Sequence, residues 1–328
     1  MNQEKSVETI LKDLELHIQQ FTYGTAPVEL YEPITYLMSL GGKRIRPLLT
    51  LMAYSLFKED YKQILTPAMS VEVFHNFTLM HDDIMDNAPL RRGQATVHEK
   101  WNANTAILSG DVMLVKAYDM LLGINAEKLP TILRLFNKTA AEVCEGQQYD
   151  MNFETCASVS EAQYIDMIRL KTAVLLGFSL QFGALLAAAP QEVADRLYDF
   201  GVNIGIGFQL KDDLLDVYAD KAKFGKQVGG DIIANKKTFL LIKAKELASG
   251  ELAADLESWL NKTSFDKNEK VNAVRKIYDD LDIQALTENK MQHYFNTGFD
   301  LLEQLQVENI DALANLKKLT QDLVYREK

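Results

Sequence analysis

The chain has 328 residues, with 46 acids against 35 lysines and arginines and a formal net charge of −11, a balance that excludes a general nucleic-acid binder, which needs a basic face to neutralise phosphates. That length can bury a substantial core without staples, and no Pro/Gly/Ser-rich linker interrupts residues 30–300, so a single domain over 1–328 is expected. The two cysteines, Cys144 and Cys156, have no His or Cys partner at zinc spacing and imply inert thiols in a reducing compartment.

The opening stretch MNQEKSVETILKDLELH is acidic and amphipathic, unlike a signal peptide, and no apolar segment is expected to reach membrane-spanning length. A cytoplasmic protein is therefore expected. Apolar residues recur at helical spacing along nearly the whole chain while period-two runs are scarce, so the fold class is all-α, a multi-helix bundle. In chain order, helices are predicted over 3–20, 29–40, 47–58, 66–86, 94–122, 130–153, 161–188, 190–217, 236–248, 251–261, 267–280, 284–305 and 309–325. Pro47, Pro67, Pro130 and Pro190 stand where amphipathic stretches begin, and a first-turn proline loses no intrahelical hydrogen bond. Small residues crowd 172–189 and 201–209, which predicts close approach of helix backbones. Segment 218–237, with Gly225, Gly229, Gly230 and several lysines, reads as a loop.

Two helices end on acids. HDDIMD closes the helix over 66–86, and KDDLLD, at Lys211 to Asp216, closes the one over 190–217. Residues four apart share a helix face, so Asp82 and Asp86 align with Asp83 beside them, and Asp212, Asp216 and Asp213 repeat the geometry. One such triplet is a common solvated helix end; two of them, each followed by a turn and then basic residues, form a specific arrangement. Aspartate oxygens suit magnesium, which takes one or two carboxylates and completes its shell from water and substrate phosphates. Two such sites on facing helices would hold a diphosphate between them.

Basic residues gather in GGKRIRP at 41–47, in LRRG at 90–93 and at Lys226, Lys236 and Lys237. Gly41 and Gly42 allow a turn with positive φ, and Lys43, Arg44 and Arg46 then offer a point charge and planar forks to phosphate oxygens. His75 is either a core histidine or a phosphate donor. The segment Glu72-Val-Phe-His75 has the Glu-x-x-His spacing of a di-iron bundle, but such a site needs a second copy and none occurs. Beside the acids, His81 reads as packing or as a partner that supports them from behind, and Gln147 in EGQQYD as a cavity-lining candidate.

In GGKRIRP, HDDIMDNAPLRRG, LKT at 170–172, GFQLKDDLLD, FGK at 224–226 and DIIANKK at 231–237, the chain resembles the trans-type prenyl diphosphate synthases of the short-chain geranylgeranyl and farnesyl kind. The resemblance implies an isoprenoid synthase-like bundle around a central elongated cavity, in a homodimer. It implies three Mg2+ ions per active site, brought in part with the diphosphates and held by Asp82, Asp86 and Asp212, with Asp83, Asp213 and Asp216 in support. The partners it implies are isopentenyl diphosphate, held by Lys43, Arg46, His75 and Arg92, and an allylic diphosphate, held by Arg91, Lys171, Lys226 and Lys236. Thr172 and Gln209 would line the reacting carbons. The implied chemistry is ionisation of the allylic substrate, attack by the double bond of isopentenyl diphosphate, and proton loss to the released pyrophosphate.

Product length, by the same resemblance, is set by residues upstream of the first acids, here Phe74, Phe77 and Thr78. Phe77 lies about 7.5 Å along the helix from Asp82, although an ideal helix turns it away from the Asp82 face. Bulk at Phe77 with Thr78 beside it resembles the geranylgeranyl type, with the farnesyl type as runner-up. A class I terpene cyclase would share the first acidic motif, but DDLLD and GGKRIRP count against it. A non-catalytic synthase subunit would be expected to have eroded acids or to lack the basic anchor, and both motifs are intact.

Overall fold

A computed structural model of the chain describes residues 6–219 and 229–325. Among these residues the structure is helical apart from one short antiparallel pairing, Leu90–Arg91 with Gln94–Ala95. Lys226 and the FGK segment lie outside the described residues.

The helices are α1 (Val7–Gln20), α2 (Val28–Ser39), α3 (Ile45–Ser55), α4 (Leu65–Met85), α5 (Val97–Lys100), α6 (Ala103–Leu121), α7 (Leu129–Thr155) and α8 (Glu161–Ile168). After a π-helical turn, Arg169–Ala173, come α9 (Val174–Leu186), α10 (Gln191–Tyr218), α11 (Gly230–Ile233) and α12 (Phe239–Leu247). The remaining four are α13 (Gly250–Asn261), α14 (Lys267–Asp280), α15 (Ile283–Glu303) and α16 (Ile310–Tyr325). Several of them start at side chains that satisfy first-turn N–H groups. Ser160 and Gln163 form a reciprocal capping box on α8, and the Asp266 carboxylate accepts from the backbone of Asn268 and Glu269 on α14.

The helix predicted over 94–122 is divided. Gly93, at φ +77°, lets the chain reverse between Arg91 and Gln94, and the Thr96 hydroxyl donates to Ala88 O at 2.8 Å. A fresh helix, α6, then starts where Asn102 accepts from Thr105 N at 2.9 Å. The apolar periodicity ran through this break because Val97 and Ala106, on either side of it, are both buried.

The helix predicted over 161–188 is continuous from α8 to α9 but carries the π turn in its middle. It also corrects the expectation that no apolar segment is long enough to cross a membrane: Glu161–Leu186 is long and apolar enough, and 78% of its apolar window is buried inside the protein.

The contacts divide the chain into two compact units. One holds the described residues up to Asn137 with Phe178–Leu197 and Leu305–Leu319; the other holds Lys138–Gly177 and the described parts of Tyr198–Gln304 and Thr320–Lys328. Aromatic rings centre the first unit: Phe136 meets Phe74 at 5.2 Å, Tyr118 at 5.1 Å and Phe178 at 5.8 Å between centroids. Those separations suit edge-to-face and tilted pairs. The second unit packs Leu214, Val217, Leu240, Val274, Ile277 and Ile283 into one cluster. The small residues of 201–209 do bring backbones together, since a Cβ on Gly201 would stand 2.7 Å from the Cα of Gly177.

Candidate active site

Both acidic clusters lie in the last turns of long helices, α4 and α10, the end at which the helix dipole disfavours anions. Self-repulsion adds to that cost, so each cluster is a standing demand for positive charge. Part of the demand is met internally. Asp83 is buried, and both its oxygens accept from Arg91, Nε to Oδ2 at 2.8 Å and an Nη to Oδ1 at 2.6 Å. Asp83 thus carries Arg91 in a bidentate pair. Asp82 is half-buried and Asp86 exposed, one turn apart.

Around the GGKRIRP turn the first unit builds an electropositive pocket. Arg44 is structural: at φ +46° and buried, it donates to Glu15 at 3.1 Å, to Glu72 at 2.9 Å and to Met38 O at 2.6 Å. Glu72 is thereby spent on Arg44. Arg46 has no carboxylate partner among the described residues; one of its Nη atoms donates to His75 Nε2 at 3.1 Å. Enclosure, and then the charges of Arg46, Arg92, Arg91 and Arg44, push His75 well below its ordinary pKa, so it stands neutral with Nε2 as acceptor. Burial likewise lowers Arg46 to about 10. Gly42 is needed here, since its φ of +134° is one that L side chains rarely adopt; beside it the Arg92 guanidinium donates to Gly41 O. Lys43 is exposed at the edge of the turn.

The chain-length candidates divide by burial. Phe74 is core, 5.2 Å from Phe136. Phe77 is half-buried, edge-on to His81 at 4.8 Å, and the Thr78 hydroxyl donates to His75 O at 2.8 Å on its own helix. His81 packs as expected from its neighbours, its Nε2 lying 3.2 Å from Ile107 O.

In the second unit the π turn between α8 and α9 presents Lys171 and Thr172 on successive residues, a distortion of the kind that recurs at functional sites. Lys171 Nζ donates to Asp150 Oδ2 at 2.6 Å, and Lys236 Nζ lies 3.7 Å from the same oxygen. Burial pushes the Asp150 carboxyl up, but the ammonium groups of Lys236 and Lys171 outweigh it and hold the group below its ordinary value. Thr172 Oγ1 donates to Gln209 Oε1 at 3.4 Å, and Gln209 Nε2 donates to Asp213 Oδ1 at 3.3 Å. The Tyr164 hydroxyl donates to the other Asp213 oxygen.

Asp213 therefore accepts from both Gln209 and Tyr164, and burial pushes its carboxyl up to about 8. Asp212 is exposed, while Asp216 is half-buried with Oδ2 accepting from Asp231 N at 2.9 Å. The expected set omitted Asp150, Tyr164 and Asp231. Asp150 follows the weighed Gln147 by three residues, yet a lone aspartate in mid-helix gives no sign of what stands opposite it.

Among the described residues no three His, Cys, Asp or Glu side chains converge as a metal cage. Each cluster offers a small set of oxygen donors, which fits a hard cation that draws most of its shell from water and phosphate.

Residues 27–281 match the Polyprenyl synthetase family. The chain is 42% identical over 224 residues to a geranylgeranyl diphosphate synthase of Methanosarcina mazei, covering 68% of this chain and 69% of that protein. Its structure resembles the crystal structure of a geranylgeranyl pyrophosphate synthase with TM-score 0.92 and 39% identity, over 100% of both chains. It also resembles, with TM-score 0.86 and 25% identity over 98% of this chain and 96% of that one, a polyprenyl synthase from Caulobacter crescentus CB15 complexed with calcium and isoprenyl diphosphate. The chain therefore belongs to the polyprenyl synthetase family and is a trans-prenyltransferase with the all-α isoprenoid synthase fold.

Proposed function

We propose that this prenyltransferase joins isopentenyl diphosphate to an allylic diphosphate and carries elongation to geranylgeranyl diphosphate, the product for which the relatives above are named. The observation that carries the reading is the pocket of Arg46 and Arg92 around a neutral His75, two guanidinium groups with no carboxylate partner among the described residues. Lys43, Arg46, His75 and Arg92 hold the diphosphate of isopentenyl diphosphate. Arg91, Lys171, Lys226 and Lys236 hold that of the allylic substrate.

Asp82, Asp86 and Asp212 are the residues that would hold magnesium, with Asp216 in support. Magnesium, when bound with the diphosphate, offsets the negative charge that develops on the leaving group as the allylic C–O bond ionises. Asp83 keeps Arg91 extended toward that group, and Asp150 gathers Lys171 and Lys236. Thr172 and Gln209 set fixed dipoles beside the reacting carbons, with the amide held by Asp213 so that no reorganisation is needed during the step. The double bond of isopentenyl diphosphate attacks the allylic carbon, and the proton lost goes to the released pyrophosphate.

The working form is a homodimer in a reducing compartment. Leu108, Val115 and Leu122 are 58%, 57% and 64% exposed, and their seven-residue spacing lines one face of α6 with apolar side chains. Cys144 and Cys156 are both exposed and form no disulfide.

The test is an incubation of purified protein and magnesium with isopentenyl diphosphate and, in turn, dimethylallyl, geranyl and farnesyl diphosphate, with products sized by mass spectrometry. A twenty-carbon end product is expected from each starter. No condensation with any of them would overturn the proposal.

A further inference from the structure

We propose that Lys270 is a positioning residue for Lys236, holding the turn that delivers that lysine to Asp150; the inference rests on the allylic role given to Lys236 above. Lys270 lies in the first turn of α14 and is 0% exposed. Burying an ammonium is costly unless its charge is paired, yet Lys270 meets no carboxylate among the described residues. Its Nζ donates to Ile233 O at 3.2 Å and to Asn235 Oδ1 at 2.6 Å, and stands 4.3 Å from the centroid of the Phe265 ring. Burial pushes the ammonium below its ordinary pKa.

Both hydrogen bonds of the ammonium go to one short segment, the link from α11 to Lys236. The Ile233 carbonyl ends a four-residue helix, where carbonyls lack helical partners. Asn235 is left-handed at φ +53°, and its amide is gripped at both ends: Nδ2 donates to Leu260 O at 2.9 Å while Oδ1 accepts from Lys270. The next residue is Lys236, whose N–H closes onto Asp231 O at 2.9 Å and whose Nζ lies 3.7 Å from Asp150 Oδ2. Among the described residues Lys270 hydrogen-bonds to no other part of the site, so its influence passes through the Ile233–Asn235 turn to Lys236.

Lys270→Met, Lys236→Ala and the double variant would be compared in steady-state assays with the two substrates varied in turn, and in calorimetric titrations with magnesium pyrophosphate, which need no turnover. Lys270→Met is expected to raise the allylic KM, and the Kd for pyrophosphate, about tenfold, with the KM for isopentenyl diphosphate within about twofold. On the Lys236→Ala background it should add less than about twofold, because the two residues act in series. Asn235→Gly keeps the left-handed backbone and removes the acceptor; it should reproduce the shift, and it reads the linkage if Lys270→Met does not fold. A lowered Tm with the allylic KM and pyrophosphate Kd unmoved, an equal rise in both KM values, or full additivity with Lys236→Ala would overturn the inference. Failure of the unaltered chain to condense any substrate counts against the proposed function, and the pyrophosphate titration then still decides the case of Lys270.

Discussion

At the scale of single residues, the charges of the site are arranged in local exchanges. Asp83 holds Arg91, and Asp150 holds Lys171 and Lys236, so each of these cations is ordered by a carboxylate. His75 is the sharpest single case, because its burial, and then the guanidinium groups around it, push its pKa well below the ordinary value. Its folded pKa lies below the unfolded value near about 6.5. Its stabilising contribution is therefore present above that value and is lost as pH falls toward the folded pKa, because the unfolded chain takes up a proton that the folded chain refuses. The loss should approach about 1.4 kcal/mol per pH unit. Tm measured against pH should fall more steeply below pH about 6.5 in the natural chain than in His75→Gln, and parallel curves would remove His75 from the account.

At the scale of elements, the π turn and the last turns of α4 decide what the side chains can reach. Gly146 on α7 is the counterpart of the π turn: a Cβ there would stand 2.2 Å from Lys171 N and 2.6 Å from its Cα. Alanine gains up to about 1 kcal/mol of helix propensity over glycine, but the clash is with backbone, and overpacking of this kind costs about 1–3 kcal/mol. Gly146→Ala is expected to lower the Tm and raise the allylic KM; a stabilised variant with normal kinetics would mean that the turn yields without consequence. On α4, Phe77 is half-buried while Phe74 is locked against Phe136. Phe77→Ala should therefore lengthen the product without a large stability loss, as read by chromatography of the chain lengths. An unchanged product would acquit Phe77.

At the scale of the whole molecule, the proposed homodimer can be tested on the exposed apolar stripe of α6. Leu108→Glu with Val115→Glu places two charges on it, and the expected outcome is a monomer by sedimentation with the helical circular dichroism retained. A dimer that survives both changes would move the interface elsewhere on the chain.

Much of this was legible in the chain itself. Amphipathic spacing identified most of the helices because burial of one helix face imposes its period on the sequence, and α14 and α16 fall within a residue of the predicted bounds. The acidic and basic motifs were legible because their residues lie close together in the chain, where like charge without neutralising neighbours is conspicuous. The break before α6 was not, since a hairpin of two-residue strands and a capping asparagine leave the apolar pattern intact. Nor was the pairing of particular aspartates with cationic side chains. Asp83 and Asp86 look alike in HDDIMD, and only the placement of Arg91 in space separates them. The same holds for Asp150 and Lys270, whose partners lie 21 and 35 residues or more away along the chain. Periodicity and local charge are properties of neighbours in sequence and can be read there, whereas the pairing of a buried charge depends on which distant backbone is folded against it.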